Sequence, residues 1–172
     1  MDILLHICCA PCLIYPFSSL NKKKFRIKGF YYNPNIYPSE EYIRRKSALG
    51  VVGKHLKIDV EYPDYVPADY FHAITCNQGP HARCAICFML RLKKTAEFAK
   101  TNGFKAFSTT LLVSPYQDHE LLKDCGGQVA REAGVDFYYE DFRVGFNQAQ
   151  IEAKELKIYR QKYCGCKYSI KK

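Results

Sequence analysis

An apolar run near the start of the sequence, Ile3-Leu4-Leu5-His6-Ile7, empties directly into Cys8-Cys9-Ala10-Pro11-Cys12. A run without polar alternation reads as a strand buried on both faces, the kind found in the middle of a parallel sheet. In such sheets the ligand crevice lies outside the carboxyl ends of the strands, so these thiols stand where chemistry is usually placed. Pro11 suits the first turn of a helix, which continues from Leu13 to Leu20. At a helix N-terminus the unpaired N–H groups and the dipole favour the thiolate that metals and redox partners need.

The strand-then-helix rhythm repeats. Arg26 to Tyr32 reads as a second strand, stopped by Asn33-Pro34-Asn35. Pro38-Ser39-Glu40-Glu41 marks a helix start with Ser39 as N-cap, running to the Gly50 to Gly53 region, and Leu56 to Val60 reads as a short third strand. A short helix at Asp69 to Ile74 and a loop from Cys76 to His81 lead into a long helix, Arg83 to Thr101, closed by Asn102-Gly103. A fourth strand, Lys105 to Leu111, precedes a helix from Asp118 to Ala133 in which Gly126-Gly127 marks a bend. Val135 to Tyr139 supplies the fifth strand, and a last helix, Asn147 to Tyr163, delivers Cys164-Gly165-Cys166. Five strands alternating with helices predict a three-layer α/β fold around a mainly parallel sheet. With no repeat, low-complexity tract or linker, residues 1–172 read as a single domain whose C-terminal Cys-Gly-Cys folds back toward the site.

A chain of 172 residues can bury a core without disulfides or structural metals, so its nine cysteines need another explanation. Asp2 follows Met1 and the apolar run is too short for a signal peptide or a membrane span. The expectation is a cytoplasmic protein with reduced thiols that bind metal or do redox chemistry. The formal charge of +9 and 14 tyrosines suit an anionic partner with bases to stack, and RNA leads.

Cys84-Ala85-Ile86-Cys87 places two sulfurs one turn apart on a helix face, a pattern shared by zinc sites, dithiol couples and iron–sulfur clusters. The Cys8-Cys9 adjacency fits a zinc knuckle poorly. It suits a multi-iron cluster better, because such ligands need not surround one atom. Cys164-Gly165-Cys166 reads as a second metal site, a strained and easily reduced disulfide, or incidental tail cysteines. Cys76 and Cys125 are read as ordinary small buried or half-buried residues, and His6 as a hydrogen-bonded core histidine. His81 and His119 sit in loops as weak acid–base candidates. Neither G-x-x-x-x-G-K-[ST] nor G-x-G-x-x-G occurs, so no nucleotide cofactor is indicated.

Taken together, His6 to Cys12, Tyr32-Asn33-Pro34-Asn35, Arg83-Cys84-Ala85-Ile86-Cys87-Phe88, Ser108 to Tyr116 and Tyr163 to Cys166 resemble the cobalamin-independent epoxyqueuosine reductases, the QueH family. The resemblance spans almost the whole chain. It implies reduction of epoxyqueuosine to queuosine at the wobble position of tRNA, with an external electron donor. It also implies a Rossmann-like fold of the adenine nucleotide alpha-hydrolase type, with the cysteine motif in place of the phosphate loop. Carried over by motif, Cys8, Cys9, Cys84 and Cys87 would hold a 4Fe-4S cluster. Cys164 and Cys166 would be a redox-active pair or ligands of a second iron. Cys12 would ligate that iron, replace Cys8, or cap the helix. Tyr32, Asn33 and Tyr116 are assigned to the flipped base, and Arg44, Arg45 and the lysines to phosphates. Two rival readings are a zinc-containing RNA-binding module, which would be colourless, and a sulfur-transferring RNA enzyme, which would consume ATP or a sulfur donor.

Overall fold

The computed structural model describes residues 1–76 and 79–170, so part of the expected 76–81 loop, Asn77 and Gln78, lies outside the described residues. Strand β1, Asp2–His6, is central in a five-stranded sheet of order β3-β2-β1-β4-β5. It pairs in parallel with β2, Arg26–Phe30, on one side and with β4, Ala106–Thr109, on the other. The edges are β3, Val60–Glu61, and β5, Asp136–Phe137, also parallel. Ile3, Leu4, Leu5 and Ile7 have no exposed surface, which accounts for the unbroken apolar run.

Among the described residues six α-helices complete the layers: α1, Ala10–Lys22; α2, Ser39–Leu56; α3, Pro67–Ile74; α4, Pro80–Thr101; α5, His119–Ala133; and α6, Phe146–Glu155. The chain builds outward from β1 to β2 and β3, then returns to place β4 against the other side of β1. The switch point therefore lies between the carboxyl ends of β1 and β4, where a crevice opens in such sheets.

Several expected boundaries move, each for a local reason. Helix α2 starts one residue earlier than a Ser39 cap requires: Pro38 is the cap residue, and the Ser39 hydroxyl reaches Glu40. It then runs through Gly50 and Gly53 to Leu56, because Leu49 and Val52 are fully buried and hold the helix against the core. The third strand is consequently later and shorter than Leu56 to Val60. The fourth strand ends at Thr109 and passes into a 3-10 turn, Thr110–Val113. Helix α4 starts at Pro80, which puts His81 in its first turn rather than in a loop. Helix α5 is unbroken at Gly126, where a Cβ would lie 2.2 Å from the Phe137 ring, so the glycine admits the ring against the helix and does not bend it.

The largest shift is at α6, which stops eight residues before Tyr163. Lys157 sits at φ 52°, its N–H bonds the Lys154 carbonyl and the Ile158 N–H bonds Ala153. This double bond is the Schellman ending, normally built on glycine. The same pattern closes α1 at Lys24 (φ 61°), with Phe25 bonding Leu20, and α2 at Lys57 (φ 55°), with Ile58 bonding Gly53. A left-handed lysine costs roughly 1–2 kcal/mol, partly offset by the lower chain entropy of a non-glycine residue.

Lys157→Gly is therefore expected to stabilise the fold by up to about 1 kcal/mol, and Gly126→Ala to destabilise it by about 1–3 kcal/mol. Urea denaturation midpoints of both variants check the opposite signs.

Candidate metal centre

The thiols gather at the switch point. Cys9 is the cap residue of α1, in extended backbone, and Cys12 lies in the first turn beside it. The Sγ atoms of Cys8, Cys9 and Cys12 all lie within 4.8 Å of one another, and all three residues are buried. A tetrahedral ion with sulfur ligands needs edges of about 3.8 Å, and Cys8 and Cys9 stand 3.8 Å apart. The triad can therefore bind a metal.

The neighbouring strand end completes the cradle. The Cys8 N–H donates to Thr110 Oγ1 at 3.0 Å, and that hydroxyl donates to Cys8 Sγ at 3.2 Å. The Gln161 amide donates to Cys9 Sγ at 2.7 Å. Hydrogen bonds from Cys12 and then Cys9 hold the Cys8 thiol well below its ordinary pKa, against the cost of burial. Burial raises Cys9, and the bond to Cys8 raises Cys12. Cys8 is thus the most acidic thiol of the metal-free triad, and a bound metal would displace the protons that the three retain.

A second set of thiols lines a cavity of about 210 Å³ together with Asn35, Tyr70 and Arg91: Cys84 and Cys87 from α4, and Cys164 and Cys166 from the C-terminal segment. Cys84 is exposed, whereas Cys87 is buried and its thiol is pushed up to about 11 by desolvation. The neighbouring Cys166 thiol lowers Cys164 to about 5, and Cys166 is raised in return. All nine cysteines are free, so Cys164 and Cys166 stand as an unbonded pair, Cys164 the more acidic, and the structure gives the expected redox-active disulfide no support. The expected ligands Cys8, Cys9, Cys84 and Cys87 divide between the two sets. Among the described residues, only Cys8, Cys9 and Cys12 meet at single-ion distance.

Arg91 links the sets. Its Nη1 approaches Cys87 Sγ at 3.8 Å, and its Nη2 donates to Asn33 Oδ1 at 2.7 Å. The Asn33 amide donates at 2.8 Å to the carbonyl of Ile7, the residue before Cys8. Arg91 is 3% exposed, forms no ion pair with a carboxylate among the described residues, and its Nε has no partner. A buried guanidinium of this kind fits a site whose counter-charge is thiolate or thiolate-bound metal.

A buried ion pair holds the C-terminal segment down. Arg45 bonds Glu41 at 2.7 Å, and its two Nη atoms donate to the carbonyls of Cys164 and Tyr163 at 3.2 and 2.9 Å. Glu41 also accepts from the Tyr159 hydroxyl at 2.7 Å. Gly165 has φ 115°, and a Cβ there would meet Arg45 and Ile36 at 3.0 Å.

These contacts revise several expected roles. Arg45 is buried and braces the chain, so it is not a phosphate contact. Tyr32 is buried with its hydroxyl on Asp69, and Asn33 is committed to Ile7 and Arg91, so neither presents a free edge to a base. Arg44 is exposed, but it lines a separate surface groove with Tyr159. Tyr116 is 84% exposed, its ring against the edge of Phe146. His119 is buried and donates to the Ser114 carbonyl at 3.2 Å. Cys125 is buried, whereas Cys76 is exposed, contrary to expectation.

His6 is the core histidine expected. Its Nε2 lies 3.1 Å from the Tyr32 carbonyl and must donate to it, so Nδ1 accepts from Thr109 Oγ1 at 2.9 Å. Thr109 is free to donate because its oxygen accepts the Leu111 N–H.

With this geometry in place, the comparisons with known proteins decide the family. The profile described as "Epoxyqueuosine reductase QueH" matches residues 3–172. The chain belongs to the QueH family of epoxyqueuosine reductases.

Among its relatives, the Epoxyqueuosine reductase QueH of Dehalococcoides mccartyi is 37% identical over 168 residues, covering 97% of this chain and 91% of that protein. The Thermotoga maritima QueH is 34% identical over 177 residues, covering 98% and 90%. Solved structures show the fold alone. A predicted subunit of tRNA methyltransferase from Methanocaldococcus jannaschii superposes with a TM-score of 0.60 at 12% identity, over 90% of this chain and 75% of that one. A deacetylase of teicoplanin biosynthesis gives 0.56 at 9%, over 91% and 83%.

Sequence reasoning missed Arg91, Thr110, Gln161 and Glu41. Arg91 was findable, because it follows Cys87 by four residues and so shares its helix face in this QueH chain.

Arg45→Met, which leaves Glu41 buried without its partner, should destabilise the protein by about 3–5 kcal/mol. It should also expose the segment around Cys164 to limited proteolysis, measurable as faster cleavage near Tyr163. A second expectation concerns acid. Burial lowers the His6 pKa from 6.5 to about 3 in the folded protein. Between those values the unfolded chain binds the extra proton, so stability falls as pH drops, by at most about 1.4 kcal/mol per pH unit from this group. Urea denaturation of metal-free protein across that window checks the slope, and a flat profile would remove His6 as its source.

Proposed function

We propose that this chain reduces epoxyqueuosine to queuosine at the wobble position of tRNA, the closing step of queuosine formation. The observation that carries the reading is the convergence of Cys84, Cys87, Cys164 and Cys166 on one cavity beside the buried Cys8–Cys9–Cys12 triad. Family membership supports the substrate, and the net charge of +9 suits a polyanion. The chain works as one α/β unit in the cytoplasm, where its thiols stay reduced. Among the described residues no helix is long and apolar enough to cross a membrane.

The donor set fits a 4Fe-4S cluster: thiols from separate elements, with Cys8, Cys9 and Cys87 buried and Cys84 exposed, near an Arg91 cation that no carboxylate neutralises among the described residues. Cys8, Cys9, Cys84 and Cys87 would hold it, with Cys12, Cys164 and Cys166 left for a second iron or for proton handling. When bound, such a group supplies electrons singly and a Lewis-acidic position for an oxygen.

The reaction takes up two electrons and two protons, breaks both epoxide C–O bonds, forms a C=C bond and releases water. The electrons come from an external donor. Cys166 holds a proton on the cavity wall beside the Cys164 thiolate and passes that one proton to the departing oxygen, while solvent supplies the second. Arg91 offsets the negative charge that gathers as electrons arrive, and the Arg45–Glu41 brace keeps Cys164 and Cys166 against the cavity.

Anaerobically purified protein should be brown and contain iron and sulfide. It should also convert epoxyqueuosine-containing tRNA; a colourless zinc protein would sink the reading. Cys84→Ser should bleach the chromophore. Cys164→Ser should keep it and lose turnover by about a hundredfold or more, and the reverse pattern would exchange the roles of the two sets.

A further inference from the structure

The mouth of the thiol cavity carries aromatic rings and unpaired cations drawn from four separate stretches of chain. Arg83 and Tyr168 line the cavity itself, and the Arg83 guanidinium sits 4.4 Å over the Tyr168 ring. Lys167 stands about 6 Å from the rings of Tyr168, Phe71 and Tyr37, at 5.9, 5.9 and 6.0 Å. Tyr37 and Phe71 meet edge to face at 6.2 Å. Tyr37 and Tyr168 are 42% and 43% exposed, large for rings with so many neighbours.

The group is held in place. The Tyr37 N–H donates to the Gly165 carbonyl at 2.8 Å, and the Tyr163 hydroxyl donates to the Tyr37 carbonyl. Neither Arg83 nor Lys167 pairs with a carboxylate among the described residues.

We infer that Tyr37, Phe71, Arg83, Lys167 and Tyr168 form a stacking collar for the unpaired nucleotides that flank the base entering the cavity. The inference rests on the tRNA reading above and adds where the RNA is gripped. A base that enters a cavity leaves its stack, and the faces of its neighbours lose a partner. Exposed tyrosine rings replace that partner whatever the sequence, and adjacent cations meet the phosphates between the bases. The collar therefore takes an unpaired loop and offers nothing comparable to a duplex. It also supplies the contacts that the buried Tyr32 and Arg45 do not.

The test uses the iron-loaded protein and two RNAs of equal length, a hairpin with an unpaired loop and a full duplex. Tyr168→Ala and Tyr37→Ala should each weaken hairpin binding about tenfold and leave duplex binding unchanged. Tyr168→Phe should bind like the parent, because stacking needs the ring and not the hydroxyl; this separates stacking from damage to the C-terminal segment. Lys167→Ala should reduce the slope of log Kd against log salt by about one.

Parent protein that reduces epoxyqueuosine in tRNA while both alanine variants bind the hairpin normally overturns the collar alone. Parent protein that neither binds the hairpin nor reduces the tRNA overturns the function as well. If the alanine variants keep hairpin affinity but raise the KM for a protein electron donor, the surface belongs to that donor and the RNA assignment falls.

Discussion

A buried arginine with no carboxylate partner among the described residues is the constraint around which the site is arranged. Isolated in a low-dielectric interior, a guanidinium costs several kcal/mol unless negative charge and hydrogen bonds meet it. Arg91 finds Cys87 on its own helix and Asn33 across the sheet edge, and Asn33 in turn holds the backbone just before Cys8. One cation thereby spaces α4 from the end of β1. The two thiol sets, which share no element, keep a fixed separation through it.

The topology explains why those sets lie at the same end of the sheet. With β1 and β4 adjacent and their connections running in opposite directions, the crevice at their ends is open to α1 on one side and α4 on the other. The teicoplanin deacetylase and the methyltransferase subunit share the layered fold at very low identity, and a shared fold does not by itself specify the chemistry at its rim. Here the strand-to-helix turn carries Cys8 and Cys9, with Thr110 on the opposite strand end polarising the first of them.

Much of this was readable from residue order. The apolar run, the thiols at its end and the C-x-x-C opening a long helix led directly to a parallel sheet with cysteine chemistry at its rim. The grouping of thiols was not readable, because it depends on which turns the sheet brings together. Arg45 shows the limit well: beside Arg44 and Lys46 it looked like part of a basic patch. Yet Glu41, Arg45, Leu49 and Val52 share one helix face, and that face is buried. Periodicity held the signal, but composition overrode it. Tyr32 misled in the same way, since a tyrosine at a strand end is placed for ligands only if its ring is not already packed.

The lysine-closed helices carry a consequence for chains rich in this residue. In α1, α2 and α6 the stop is enforced by the apolar residue that comes next, Phe25, Ile58 or Ile158, each packed back onto the core. The lysine merely accepts the left-handed turn its neighbour demands. Punctuation in such a sequence is written one residue late, in side chains that look like ordinary core. A search for glycine would extend every one of these helices past its end, and with α6 would carry the C-terminal thiols away from the cavity they line.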